Sequence, residues 1–183
     1  LEPYEAERHL ILGTKDSAET LAQLEYAWYE ADDSHTAPLY AARGVLPYLL
    51  VGNLRAANKY FLLFTSRLSH KANLGMQEVS TSSSDLKVYP SLPLLNFLGL
   101  LLLAVERGEA ALYRQLRSHY AANLSDVNWG EALDKIGEMY FGISIPRQGN
   151  PMMDMLGNMF MGGGLGGGKK GRAVDAPSTP GLD

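Results

Sequence analysis

Four histidines, His9, His35, His70 and His119, are the residues in this chain best suited to proton transfer or metal binding. A helical metal site needs donors three or four residues apart, with the spacing repeated on a second element so that several ligands converge. His9 has Glu5 four residues before it, but such a pair is ordinarily a solvated helix contact, and the pattern does not recur. There is no cysteine, so thiolate ligands, disulfides and a Cys nucleophile are all absent. That composition fits a reducing compartment. No H-E-x-x-H zinc motif, G-x-S-x-G nucleophile elbow or G-x-x-x-x-G-K-[ST] phosphate loop occurs. "GGGLGGGKKG", residues 162–171, has the glycines of a phosphate loop but follows no strand pattern, opens no helix pattern and lacks a hydroxyl after the lysine. It reads as a linker. These residues assign no catalytic group, no metal ligand set and no cofactor.

Chemistry of recognition is better represented. "PMMDMLGNMF", residues 151–160, together with Met161 holds five of the seven methionines. Met152, Met155, Leu156, Met159 and Phe160 could form a flexible apolar face. One reading is a short amphipathic helix that docks on this chain or on one dedicated subunit; the other is a holdase surface for varied hydrophobic clients. Ten residues make a small surface for broad capture, which favours docking. The net charge of −4 gives no field that would gather phosphates, so nucleic acid is not an expected partner. Acidic residues dominate from Glu2 to Asp33, whereas residues 34–71 carry Arg43, Arg55, Lys59, Arg67 and Lys71 and no acid. Helices with these opposite biases would attract each other, or the basic ones could receive an acidic partner segment.

The most apolar stretch is "VYPSLPLLNFLGLLLLAVERG", residues 88–108. Its nearly continuous apolar part would make a helix only about 20 Å long, against roughly 30 Å for a bilayer core. It is too short to span. The N-terminus has no basic region followed by an apolar one, so a cytosolic protein is expected. The chain starts at Leu1 rather than Met and enters helical pattern at once, as the rear part of a longer protein would.

The elements that would position these residues are mostly helices. Apolar periodicity and turn signals predict helices near 4–12, 17–31, 36–51, 54–70, 92–107, 109–122 and 129–141. In the second, Leu21, Leu24, Trp28 and Ala31 form the apolar stripe, with Asp16 or Ser17 as cap. Asp32, Asp33 and Ser34 are a candidate cap for the third, and Gly52-Asn53 ends it. Short connections bring sequential helices together as antiparallel pairs. The pairs, each about 35 residues long, suit a tetratricopeptide-like α-solenoid, with a helical bundle as the alternative. Residues 72–91 break the pattern: "MQEVS" and "DLKVY" flank a Ser/Thr-rich turn, as in a β-hairpin inserted between helices, or else form a loop. The expected organisation is solenoid helices over 1–71, a hairpin over 72–91, further helices over 92–145, a Met-rich docking segment over 146–161 and a disordered Gly-rich tail over 162–183.

Several stretches together are more specific than any alone. "PYEAERHLILGTKDS" (3–17), "YPSLPLLNFLGLLLLAVERG" (89–108), "LRSHYAANL" (116–124), "LDKIGEMYFGISIPRQ" (133–148) and the closing "MMDMLGNMFMGG" resemble, in order and spacing, a known family. It is the C-terminal half of the fourth factor of the guided entry of tail-anchored proteins (GET) pathway, a Golgi-to-ER traffic adaptor, here of fungal type. The resemblance covers nearly residues 1–161. It implies an all-α solenoid with an inserted β-hairpin and no enzymatic activity. It further implies a cytosolic adaptor that helps deliver tail-anchored membrane proteins to the endoplasmic reticulum. In that family the C-terminal half holds the N-terminal segment of a ubiquitin-like-domain partner, and the N-terminal half contacts the targeting ATPase. The matched half here would therefore lack the ATPase contact. In animals the corresponding subunit also joins a large scaffold protein.

A hairpin folded over one end of an apolar helix would leave a groove for an amphipathic partner helix. Alternation marks Leu74, Val79, Leu86, Val88 and Tyr89 on the hairpin side as its lining, with Leu94, Leu95 and Leu98 on the helix. For each leucine the competing role is ordinary core. A groove lined this way predicts that Leu95→Asp or Val88→Asp weakens partner binding by burying an unpaired charge.

Overall fold

The computed structural model describes residues 3–33, 36–71, 77–81 and 84–144. Within them the chain forms α1 (Pro3–Ile11), α2 (Ser17–Ala31), α3 (Ala37–Leu50), α4 (Leu54–Lys71), β1 (Gln77–Thr81), β2 (Ser84–Val88), α5 (Pro93–Arg107), α6 (Ala110–His119), α7 (Ala121–Leu124) and α8 (Gly130–Phe141). This is the expected all-α solenoid with a β-hairpin inserted between α4 and α5. None of these helices is long and apolar enough to cross a membrane. Leu74, the Met-rich residues Met152, Met155, Leu156, Met159 and Phe160, and the Gly-rich tail lie outside the described residues.

Helices form where apolar residues recur every three or four positions, and α3, α5 and α8 stop at glycine. After α3, Gly52 adopts φ +77°, which only glycine tolerates cheaply, and Asn53 N–H closes back on the Tyr48 carbonyl at 2.8 Å. Asn53 Oδ1 then accepts from Ala56 N–H at 3.0 Å and so caps α4. The other expected caps differ. Asp16 flanks α2 without a side-chain cap bond. Asp32 ends α2 rather than starting α3, and its carboxylate accepts from Thr36 Oγ1 at 3.2 Å and Tyr40 OH at 3.1 Å. The helix expected over 109–122 is interrupted at Tyr120, whose φ and ψ of −95° and 13° leave the helical region while its ring packs edge-on against Phe97.

The core runs the length of the array. α4 contributes Ala57, Tyr60, Phe64 and Leu68, one residue per turn, all essentially inaccessible. α5 buries Leu95, Phe97, Leu98, Leu101, Leu102, Ala104 and Val105, which cover about half of its circumference. Burying each such side chain favours folding by roughly 1.5–3 kcal/mol, which explains why this helix needs no bilayer. α2 turns a different face inward than its most apolar stripe suggests: Ala18, Leu21, Ala22, Glu25 and Tyr26 are buried, while Leu24 and Trp28 are half-buried and Ala31 is exposed.

Tyrosine hydroxyls tie the layers together. Each donates to a backbone carbonyl of another helix: Tyr26 to Arg67 at 3.3 Å, Tyr48 to Leu10 at 3.1 Å, Tyr60 to Tyr40 at 2.7 Å, Tyr113 to Leu133 at 2.5 Å and Tyr140 to Leu49 at 2.9 Å. A buried phenol without a partner would be costly, so these bonds fix which carbonyl each ring faces.

Candidate partner-binding groove

The hairpin is antiparallel, with Gln77 opposite Val88, Glu78 opposite Lys87, Val79 opposite Leu86, Ser80 opposite Asp85 and Thr81 opposite Ser84. Two strands alone are marginal in water. Here the exit of β2 is held by the helices: Tyr89 is fully buried, and its hydroxyl lies 3.0 Å from Ser69 Oγ on α4.

Between α4, the end of β2 and α5 lies an open groove of about 290 Å³. α4 supplies Asn58, Phe61, Leu62 and Thr65; the strand supplies Lys87, followed by Tyr89; α5 supplies Gly99, Leu102, Leu103 and Glu106 at the i, i+3, i+4, i+7 positions of one face. Leu62 is 60% exposed, beside the buried stripe of α4. Thr65 is buried but satisfied, donating to the Phe61 carbonyl at 2.8 Å. Lys87 and Glu106 add one charge of each sign to an otherwise mainly apolar lining. Such a surface suits a side chain row of an amphipathic helix.

Of the residues that alternation marked for the groove, Tyr89 lines it. Val79 and Leu86 are direct strand partners in the hairpin. Val88 and Leu94 are half-buried and lie outside the lining. Leu95 and Leu98 have no accessible surface and lie in the core. Leu95→Asp therefore places a charge in the core, and its effect would be unfolding rather than selective loss of binding. The α4 wall was not anticipated from the sequence. Its signal is Leu62, which falls two positions from Tyr60 and so off the buried stripe Ala57–Tyr60–Phe64–Leu68.

A second cluster joins the acidic and basic helices. Arg43 of α3 pairs with Glu7 of α1 and, through Nε at 3.2 Å, with Glu25 of α2. Its guanidinium also lies over the rings of Trp28 at 5.5 Å and Tyr40 at 5.9 Å. Glu25 is wholly inaccessible. Burial, then the hydrogen bond and negative charge of Glu7, push its carboxyl up to about 8 against the opposing pull of Arg43, so it carries its proton at neutral pH. Lys59 and Glu19 form a solvated pair at 3.3 Å, worth at most about 1 kcal/mol. The charge bias of the sequence thus appears as cross-helix pairing. No group of three or more His, Cys, Asp or Glu side chains among the described residues could hold a metal ion.

The family model for Golgi to ER traffic protein 4 (GET4) matches residues 1–160. The chain belongs to the GET4 family. A GET4 protein of Aspergillus fumigatus is 60% identical over 171 residues, covering 92% of this chain and 49% of that protein. Its Schizosaccharomyces pombe counterpart is 32% identical, covering 88% of this chain and 52% of the relative. Among solved structures, C. therm. Get4 superposes with a TM-score of 0.75 at 52% identity, over 96% of this chain and 55% of that one. The chain spans about half the length of these GET4 proteins.

Proposed function

We propose that this chain is the partner-holding part of a cytosolic, non-enzymatic adaptor for targeting tail-anchored membrane proteins to the endoplasmic reticulum. It takes no cofactor. Its groove receives an amphipathic helix from the N-terminal segment of a ubiquitin-like-domain co-subunit, and contact with the targeting ATPase belongs to family sequence beyond this chain. The observation that carries this reading is the open apolar groove beside the hairpin, with Leu62 exposed on its wall. Its volume sits at the lower edge of small-molecule sites, which are also more enclosed, whereas a helix needs only a row of side-chain seats. In this reading Val88 borders the groove from the hairpin side, and Leu94, Leu95 and Leu98 support it from α5.

Calorimetric titration with the co-subunit's N-terminal segment tests the proposal, with the targeting ATPase titrated in parallel. The expected result is saturable binding of the segment and none of the ATPase. Deleting residues 150–161 should leave that binding intact; capture of exposed hydrophobic segments by the intact chain that vanishes on this deletion would instead support the Met-rich holdase reading.

A further inference from the structure

Asn96 is the one polar side chain in the run from Leu94 to Val105, and it sits in a helix where asparagine is a poor former. A half-buried amide in such a place is costly unless both of its ends are bonded. Both are. Asn96 Oδ1 accepts from the Tyr89 backbone N–H at 2.8 Å, and Asn96 Nδ2 donates to the Tyr89 carbonyl at 2.8 Å. The side-chain amide thus pairs with the residue leaving β2 as a neighbouring strand would, from the surface of a helix. The same carbonyl also accepts from Leu92 N–H at 3.0 Å. Tyr89 OH lies within hydrogen-bond distance of Ser69 Oγ, which in turn donates to the Thr65 carbonyl of α4 at 2.8 Å.

We propose that Asn96 is a positioning residue whose amide latches the exit of the hairpin to α5 and so holds the strand wall of the groove at a fixed distance from α4. It does not line the groove. Its influence on binding passes through Tyr89 and Lys87, which do, and that part of the inference rests on the groove being the partner site. The latch itself does not.

The test is hydrogen–deuterium exchange on the full chain as wild type, Asn96→Leu and Asn96→Asp. Leucine keeps the volume and removes both bonds. Aspartate keeps an acceptor for the Tyr89 N–H but sets a second carboxylate oxygen against the Tyr89 carbonyl until it is protonated. The latch predicts that amides of 77–81 and 84–89 exchange at least tenfold faster in Asn96→Leu, while those of α2 and α3 keep their protection. In Asn96→Asp the same acceleration should appear at pH 7 and largely vanish at pH 4 after correction for intrinsic exchange, because the protonated acid restores the donor. Hairpin amides that are unprotected in the wild type, unchanged in the variants, or accelerated only together with every helix overturn it, as does an aspartate effect independent of pH. Titration with the co-subunit segment separates the two ideas. Failure of the wild type to bind rejects the groove reading and leaves the exchange result to judge the latch.

Discussion

Glu25→Gln isolates the proton that the fold stores between α1, α2 and α3. Glutamine keeps the size and polarity of the protonated carboxyl but cannot ionise. In the folded wild type the Glu25 carboxyl titrates at about 8, against an ordinary 4.5. Between those values the folded chain holds a proton that the unfolded chain has released, so stability falls as pH rises. At roughly 1.4 kcal/mol per pH unit the interval sets an upper limit of about 5 kcal/mol, fully present below pH 4.5 and lost by pH 8. Near pH 8 the folded carboxyl itself begins to ionise, so the slope averages about 1 kcal/mol per pH unit between pH 6 and 8. Urea denaturation of both proteins at half-unit steps from pH 5.5 to 9 reads this directly. If glutamine matches the protonated carboxyl, the variant should be the more stable by about 2 kcal/mol at pH 6, a gap that widens towards about 5 kcal/mol by pH 8.5. Parallel pH profiles would refute the reasoning, since they would mean that Glu25 is already ionised in the folded chain at neutral pH.

Other substitutions probe separate parts of the structure. A Cβ at Gly44 would stand 2.4 Å from the Tyr60 ring, so Gly44→Ala should lower stability by about 1–3 kcal/mol in thermal or urea unfolding. Tyr140→Phe removes the bond from α8 to the Leu49 carbonyl; a loss of about 1 kcal/mol is expected, with faster exchange concentrated in α8. Leu62→Asp changes an exposed residue of the groove wall, so unfolding should shift by no more than about 0.5 kcal/mol, while affinity for the co-subunit segment falls at least tenfold. Unchanged affinity would remove α4 from the site.

Helix positions were readable because periodicity and glycine stops act locally: Gly52, Gly108 and Gly142 each end a helix at positive φ. The hairpin was one of two readings that the β-favouring runs around a polar turn allowed, a loop being the other, and the antiparallel pairing selects it. What lay beyond the sequence were choices made between elements. α2 rotates to bury Glu25 because Arg43 and Glu7 arrive from other helices to meet it, and no pattern within α2 announces them. Asp32 serves the end of one helix instead of the start of the next because Thr36 and Tyr40 reach back to it. Leu95 and Leu98 were candidates for the groove because leucines occupy most of the α5 circumference, and the few markers of its open side, Gly99 and Glu106, lie among them. The α4 wall depended on a neighbour more than twenty residues away, and only the misplaced Leu62 hinted at it.

The tyrosine bonds between helices bear on distance as well as stability. Greasy helix faces alone tolerate slippage by a turn, about 5.4 Å, with little change in buried area. A hydroxyl aimed at one particular carbonyl does not, and five such bonds run through α1, α2, α3, α4, α6 and α8. The helices they join include α4, which forms one wall of the groove, so the phenol groups fix how α4 is seated on α2 and α3 and hence the frame on which that wall stands.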